Sequence, residues 1–155
     1  MLRRLLPERV DNTYVGHKLA LWLLGALVLM KGSIGLGTIF NGREAATSAD
    51  GIPLDTFTPA GAQAFLGLFA AWGLAQFVLN LVGLIVLLRY RALVPLMLAL
   101  LLFEHLCRKL IFVFLPIARS DEAPGYLINL ALVAVMIIGL ALSLRARDNR
   151  RPDRA

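Results

Sequence analysis

The sequence predicts an all-α integral membrane protein, folded as a four-helix bundle. Of its 155 residues, 59% are hydrophobic and only 17% are charged, whereas about 25% are charged in ordinary soluble domains. The mean hydropathy of +0.74 is correspondingly high. The apolar residues are also gathered into four long stretches, and a helix needs about 20 such residues to cross a bilayer. The composition, and the gathering of apolar residues into four stretches, together predict that most of the chain lies in lipid.

The four predicted spans comprise residues 17–40, 64–88, 92–116 and 125–144, which together form one domain of residues 17–144. Residues 1–16 are then a cytoplasmic arm and residues 145–155 a basic cytoplasmic tail. The first span is longer than the 7–15 apolar residues of a signal peptide, so we expect it to be retained. The connections are short except for the first outer loop, which we expect to be solvated, with a lid over the bundle as the alternative.

Helix boundaries are marked by residues that interrupt or start helices. Asn41 and Gly42 follow the first span and tolerate left-handed backbone geometry. Pro59 is assigned to the loop before the second span, and Pro95 to the first turn of the third, where its missing N–H does no harm. Strands are excluded, because these long apolar runs lack the period-two alternation of a membrane β-barrel.

Lys and Arg are distributed unevenly between the two sides of the predicted bundle. Eleven lie in the arm, the second connection and the tail, whereas only Arg43 and Arg119 lie in the opposite connections. Because Lys and Arg are enriched on the cytoplasmic side, both termini are predicted to be cytoplasmic in a bacterial inner membrane. The basic residues are split among three segments without interleaved aromatics, which argues against nucleic-acid binding. The expected partners are the lipid bilayer and a second copy or another membrane protein.

Small residues predict where the helices approach closely, with consecutive helices as antiparallel neighbours. In lipid, helix association favours small side chains that bring backbones together. The predicted packing positions are Gly32 and Gly35 in the first span, Gly67, Ala71 and Ala75 in the second, and Gly139 in the fourth.

Eight polar side chains lie at similar depths within the spans, and we call this set the polar layer. Ionisable groups inside a membrane are expensive, so each needs a partner or a water-filled site. The set comprises Lys31 in the first span, Gln76 and Asn80 in the second, Glu104, His105, Arg108 and Lys109 in the third, and Asn129 in the fourth. It is the most informative feature of the sequence for function.

Glu104 and Arg108 are four residues apart and therefore share one helical face, which predicts an ion pair. Lys31 lies at nearly the right depth to be a second partner of Glu104. With Lys109, three basic groups then face one acid, an excess of two positive charges. Three interpretations remain open: a network that only locks the helices, a site for an anionic, lipid or quinone-like ligand, and a proton relay between Glu104 and His105.

The residue pattern disfavours most enzyme classes. Cys107 is the single cysteine of the chain, so neither a disulfide framework nor dithiol chemistry is available. The sequence has no zinc-protease motif and no clustered metal ligands. We predict no metal site and no cofactor, with a quinone or a lipid as candidate ligands. The favoured function is a non-enzymatic binding or accessory subunit, and the alternative is a small proton-coupled transporter that uses Glu104.

The first span and the charges around it resemble the DoxX-like group of small bacterial four-span proteins. The resemblance is carried by HKLALWLLGALVLMKGSIGLG (His17–Gly37), by the R-x-R turn at Arg89–Arg91, and by Glu104 and Arg108 in the third span. It covers residues 16–144 and implies a small membrane subunit linked to quinone-dependent oxidoreductases or oxidative-stress complexes. The direct succession of Lys31 and Gly32 differs from the usual DoxX-like spacing.

Overall fold

A computed structural model describes residues 5–7, 9–116 and 125–145. Within these ranges every regular element is helical. The four main helices are α1 (Lys18–Phe40), α2 (Pro59–Arg89), α3 (Val94–Phe114) and α4 (Gly125–Leu144). Short helical turns at Gly42–Glu44, Ala45–Ala49, Leu54–Thr56 and Arg91–Leu93 lie between them. The predicted outer connection with Arg119, and the basic tail beyond Arg145, lie outside the described residues.

Three segments are long and apolar enough to cross a membrane: Lys18–Phe40, Pro59–Arg89 and Leu127–Leu144. These segments identify an all-helical membrane protein, as the composition predicts. The helix α3 has a comparable length of 21 residues. It is set apart by its three charged side chains, which lie at Glu104, Arg108 and Lys109.

The helix boundaries agree with the predicted spans to within a few residues, except at the start of α2. The helix α2 begins at Pro59 rather than at residue 64, because Thr58 caps it: the Thr58 hydroxyl accepts a hydrogen bond of 3.1 Å from the Gly61 N–H. Pro59 is therefore the first helical residue and not part of a loop. At this position the backbone N–H would have no partner within the helix, so the missing N–H of proline costs no hydrogen bond. At the end of α1, Asn41 has φ −125°, so the helix stops without the left-handed residue expected there.

The helices differ in how extensively they pack against their neighbours in sequence. The helix α1 packs most extensively against α2 and then against α4, while α3 packs mainly against α4 and touches α2 much less. The helices α2 and α3 are in contact as consecutive neighbours, but they pack less extensively than α1 with α2 or α3 with α4. The fully buried core lies where α1, α3 and α4 meet, and includes Leu24, Leu27, Leu98, Leu101 and Met136.

The crossing of α1 and α2 is built on two glycines. A Cβ atom on Gly35 would lie 2.7 Å from the Gly73 carbonyl oxygen, and one on Gly73 would lie 2.8 Å from the Gly35 carbonyl oxygen. Only residues without a side chain allow the two backbones to come this close. Gly32 is also buried in this contact, and Gly139 packs against Leu98 of α3. These positions agree with the predicted role of small residues in packing.

The predicted packing stripe of α2 does not pack within the chain. Gly67, Ala71 and Ala75 are all exposed, and a Cβ atom on Gly67 would meet nothing within 4 Å. The reason is the rotation of the helix: each residue advances about 100°, so Ala71 and Ala75 lie about 200° from Gly73. The face of α2 that meets α1 carries Gly73 together with polar residues.

The first outer loop is folded rather than simply solvated. Ala46, Ile52 and Leu54 are buried and form a small separate core with three side chains of α2, namely Phe65, Leu66 and Phe69. Gly51 provides the turn in this loop, with φ 67°. The loop therefore packs on the N-terminal part of α2.

The glycine crossing predicts a clear difference between two identical substitutions in α2. Gly73→Ala places a methyl group against the α1 backbone and should lower the free energy of unfolding by about 1–3 kcal/mol. Gly67→Ala is the matched control; it should be neutral or stabilising, because Ala favours a helix over Gly by up to about 1 kcal/mol. Denaturant unfolding in detergent measures both. Equal losses, or no loss for Gly73→Ala, would contradict this packing.

Candidate functional site

A single carboxylate joins three helices at the centre of the polar layer. Glu104 of α3 accepts a hydrogen bond from Lys31 Nζ of α1 on Oε2, at 3.0 Å. On Oε1 it accepts one from Gln76 Nε2 of α2, at 2.7 Å, and forms an ion pair with Arg108 Nε at 3.3 Å. The predicted pairs of Glu104 with Arg108 and Lys31 are both present in this structure. Both oxygens of the carboxylate are thus engaged.

The packing of α1 and α2 determines how Lys31 and Gln76 reach this carboxylate. Lys31 continues the buried face of α1 that carries Leu24, Leu27 and Val28, and its side chain is only 4% exposed. Gln76 lies one turn from Gly73, on the face of α2 that meets α1. The close glycine crossing therefore brings the ammonium and the amide to the same point in the bundle.

Asn80 and His105 extend the polar layer and each leave one polar atom without a partner. The Asn80 amide N–H donates to the Gln76 carbonyl oxygen at 2.7 Å. Its side-chain carbonyl oxygen, and Nε2 of His105, are buried and have no hydrogen-bond partner among the described residues. Each such buried group costs about 1–3 kcal/mol if it stays unpaired.

The tautomer of His105 follows from its neighbour. Arg108 Nη2 lies 3.0 Å from His105 Nδ1. A guanidinium group can only donate hydrogen bonds, so Nδ1 accepts and the neutral ring carries its proton on Nε2. His105 is 1% exposed and extends the buried stripe of Val94, Leu98 and Leu101. It therefore presents an N–H donor to the interior of the bundle.

A ladder of aromatic rings connects the outer loop with the polar layer. Phe57 meets Phe65 edge to face at 5.9 Å between ring centroids, and Phe69 stacks on Phe65 at 5.5 Å. Trp72 stacks on Phe69 at 5.5 Å, and the Arg108 guanidinium lies 5.0 Å from the Trp72 ring centroid. The contact of Arg108 with Trp72 is a cation–π interaction. We did not predict it; the only signal was that Phe65, Phe69 and Trp72 recur at helical spacing.

Two residues of the predicted polar layer, Lys109 and Asn129, lie away from Glu104 and its partners. Lys109 is exposed, because the helix turns by about 100° between it and Arg108. The Asn129 amide donates to the Gly125 carbonyl oxygen of its own helix at 2.7 Å. The expected excess of two positive charges is therefore reduced to one, since Lys31 and Arg108 face Glu104. We use the term polar cluster for Lys31, Gln76, Asn80, Glu104, His105 and Arg108.

The chemistry open to the polar cluster is binding through hydrogen bonds and charge. In the part of the chain that the structure describes, no three or more His, Cys, Asp and Glu side chains come together as metal ligands. Cys107 is a free, half-buried thiol. The cluster instead combines two cations, one carboxylate and a buried N–H donor, a set that suits an acceptor or an anion.

Removal of the shared negative charge should destabilise the bundle. Glu104→Gln leaves Lys31 and Arg108 facing each other without an anion between them. We expect a loss of about 2–3 kcal/mol in the free energy of unfolding, somewhat below the range for fully buried pairs because a quarter of the Glu104 side chain is exposed.

The matched control is Glu44→Gln in the outer loop, where the carboxylate is exposed and accepts a hydrogen bond from Ser48. It should change the unfolding free energy by less than about 0.5 kcal/mol. Unfolding of both variants in the same detergent measures the difference. A Glu104→Gln protein as stable as the control would show that the shared carboxylate does not hold the helices together.

Comparison with known protein families, with characterised proteins and with solved structures finds no match to this chain. The similarity to DoxX-like proteins therefore rests only on the sequence features of the first span, the R-x-R turn and the third span. Function is therefore inferred from the geometry of the polar cluster.

Proposed function

We propose that the chain is a multi-pass inner-membrane protein without catalytic activity, a binding or accessory subunit whose polar cluster holds a ligand. The ligand class is an anionic or carbonyl-bearing group, as on a lipid headgroup or a quinone-like ring, or on a partner helix. The observation that carries the proposal is the polar cluster's unbalanced composition: two cations share one carboxylate beside an unpaired, buried His105 N–H.

Charge and hydrogen bonding favour the same kind of ligand. A net positive charge is costly in a low-dielectric interior, and a nearby anion or dipole lowers that cost. The His105 Nε2–H donor requires an acceptor oxygen. A phosphate, a carboxylate or a ring carbonyl supplies both, whereas an apolar molecule supplies neither.

A loosely packed side of the bundle offers a route to the polar cluster. The helices α2 and α3 touch little, and the Arg108–Trp72 contact bridges them. Glu104 and Arg108 are 25% and 22% exposed, so this side of the polar cluster is not sealed. A ligand that enters from the lipid between α2 and α3 meets Arg108 and Trp72 first.

We also propose that α3 is a fourth span, with both termini in the cytoplasm. Two of the three charges that distinguish α3 from the other helices form an ion pair within the bundle, which lowers their cost in lipid. Lys109 is one turn from the end of the helix and can extend its ammonium towards the interface. The uneven distribution of Lys and Arg supports the orientation.

Two cysteine variants test this topology in inverted and right-side-out vesicles, after Cys107→Ser removes the native thiol. Leu115→Cys, directly after α3, should react with a membrane-impermeant maleimide only from outside, because α1, α2 and α3 then separate it from the arm. Val15→Cys in the arm should react only from the cytoplasmic side; both positions are exposed. Labelling of both from one side would rule out an odd number of spans between them, and the reversed pattern would overturn the orientation.

The ligand is tested by gentle purification and mass spectrometry of co-purifying lipids and quinones. Wild-type protein and Lys109→Gln should carry the same bound molecule, because Lys109 lies outside the polar cluster. Arg108→Gln should retain about tenfold less, equivalent to about 1.4 kcal/mol. No enriched molecule in the wild type, or equal retention by both variants, would contradict the proposal.

The alternative, a proton-coupled transporter, places a transferable proton on Glu104. The structure gives it less support, because a proton would have to displace Lys31, Gln76 or Arg108 from the carboxylate oxygens. Proteoliposomes with an internal pH dye distinguish the two functions. A proton flux that Glu104→Gln abolishes would favour the transporter, and no flux above empty liposomes would exclude it.

A further inference from the structure

A second candidate site is an open cleft at the end of the bundle opposite the outer loop. A cleft of about 520 Å³ opens between the N-terminal arm and the turn that joins α2 to α3. It is lined by Asn12 of the arm and by Leu88, Arg89 and Tyr90 at the end of α2. The cleft shares no residue with the polar cluster.

Two backbone hydrogen bonds hold the arm to the helices. The Ala92 N–H donates to the Asp11 carbonyl oxygen at 3.3 Å, and the His17 N–H donates to the Leu142 carbonyl oxygen of α4 at 3.2 Å. The Asp11 carboxylate accepts hydrogen bonds from both the side chain and the backbone N–H of Thr13. These bonds lower the pKa of Asp11 and hold the turn that carries Asn12. One wall of the cleft is therefore preformed.

The opposite wall of the cleft is the end of α2, which contributes a guanidinium group with free N–H donors and, beside it, an apolar side chain. Arg89 is exposed, and its guanidinium has no hydrogen-bond or ion-pair partner among the described residues. The neighbouring Arg91, in contrast, donates from Nε to the Leu87 carbonyl oxygen at 3.1 Å. Leu88 is 64% exposed beside Arg89, and the Tyr90 ring borders the same opening.

The position of the cleft indicates which molecules reach it. The apolar segment of α2 ends at Arg89, so the cleft lies where a membrane-spanning helix leaves the hydrocarbon. Tyr and Arg are typical of this interfacial level. A guanidinium binds phosphate oxygens well, through paired N–H donors. The Asn12 amide adds another donor, while Leu88 offers a surface to an acyl chain.

We propose that this cleft binds a phosphate group, with Arg89 as the main contact, and that the source is the headgroup of an anionic glycerophospholipid whose chain lies along Leu88. The arm and the end of α2 then form a lipid site that also ties the arm to the bilayer. The site depends on α2 as a span but not on the function proposed for the polar cluster.

Binding to the full-length protein in neutral detergent micelles tests the site, with native mass spectrometry as the readout. The probes are phosphatidylglycerol, phosphatidylcholine and inorganic phosphate. Phosphatidylglycerol should bind best, and Arg89→Gln should weaken it about tenfold, or about 1.4 kcal/mol. Asn12→Ala should weaken it less, but measurably.

Three controls make the outcome decisive. Arg43→Gln removes an exposed arginine at the opposite end, and Lys109→Gln removes an exposed lysine that belongs to neither site; neither variant should affect binding. Unfolding without lipid should be the same for Arg89→Gln and wild type, since Arg89 is exposed. Inorganic phosphate that binds as well as the lipid, with the same dependence on Arg89, would retain the phosphate site but reassign its source. Lipid binding that is insensitive to both Arg89→Gln and Asn12→Ala would overturn the proposal.

Discussion

The arrangement of the bundle depends on one shared carboxylate. Glu104 is the only acidic side chain in α3, and α1, α2 and α3 each direct a donor to it. Lys31 cannot lose this partner without leaving a buried ammonium unpaired, and α2 and α3 touch little elsewhere. The glycine crossing fixes the approach of α1 to α2, and the carboxylate then fixes α3 against both.

The aromatic ladder connects Arg108 with the loop between α1 and α2. The ladder starts at Phe57, beside the small core of the outer loop, and ends on Arg108, which also contacts Glu104 and His105. The other end of α2 borders the cleft lined by Asn12, Leu88, Arg89 and Tyr90. Both sites lie on α2 or contact it.

The sequence predicts the four helices and two partners of Glu104, Lys31 and Arg108, because apolar length, spacing and depth are local properties of a chain; it does not single out Gln76 as the third. It could not predict which faces meet. A helix in lipid is apolar on all sides, so hydrophobic pattern does not reveal its rotation. For that reason the sequence predicts Gly67 in a contact that Gly73 makes. It likewise does not reveal that Lys109 lies away from the polar cluster or that Trp72 contacts Arg108. The Asn129 amide donates to a carbonyl oxygen of its own helix. The depth of a polar side chain in a span does not distinguish such a bond from a contact between helices.

The most direct test of the shared carboxylate is a double-mutant cycle between Lys31→Met and Glu104→Leu. Unfolding free energies of the wild type, the two single variants and the double variant give the interaction energy of the pair. If the carboxylate joins α1 to α3, the double variant should be more stable than the sum of the two losses implies, by at least about 1 kcal/mol. Additive losses, with no interaction energy, would contradict the account.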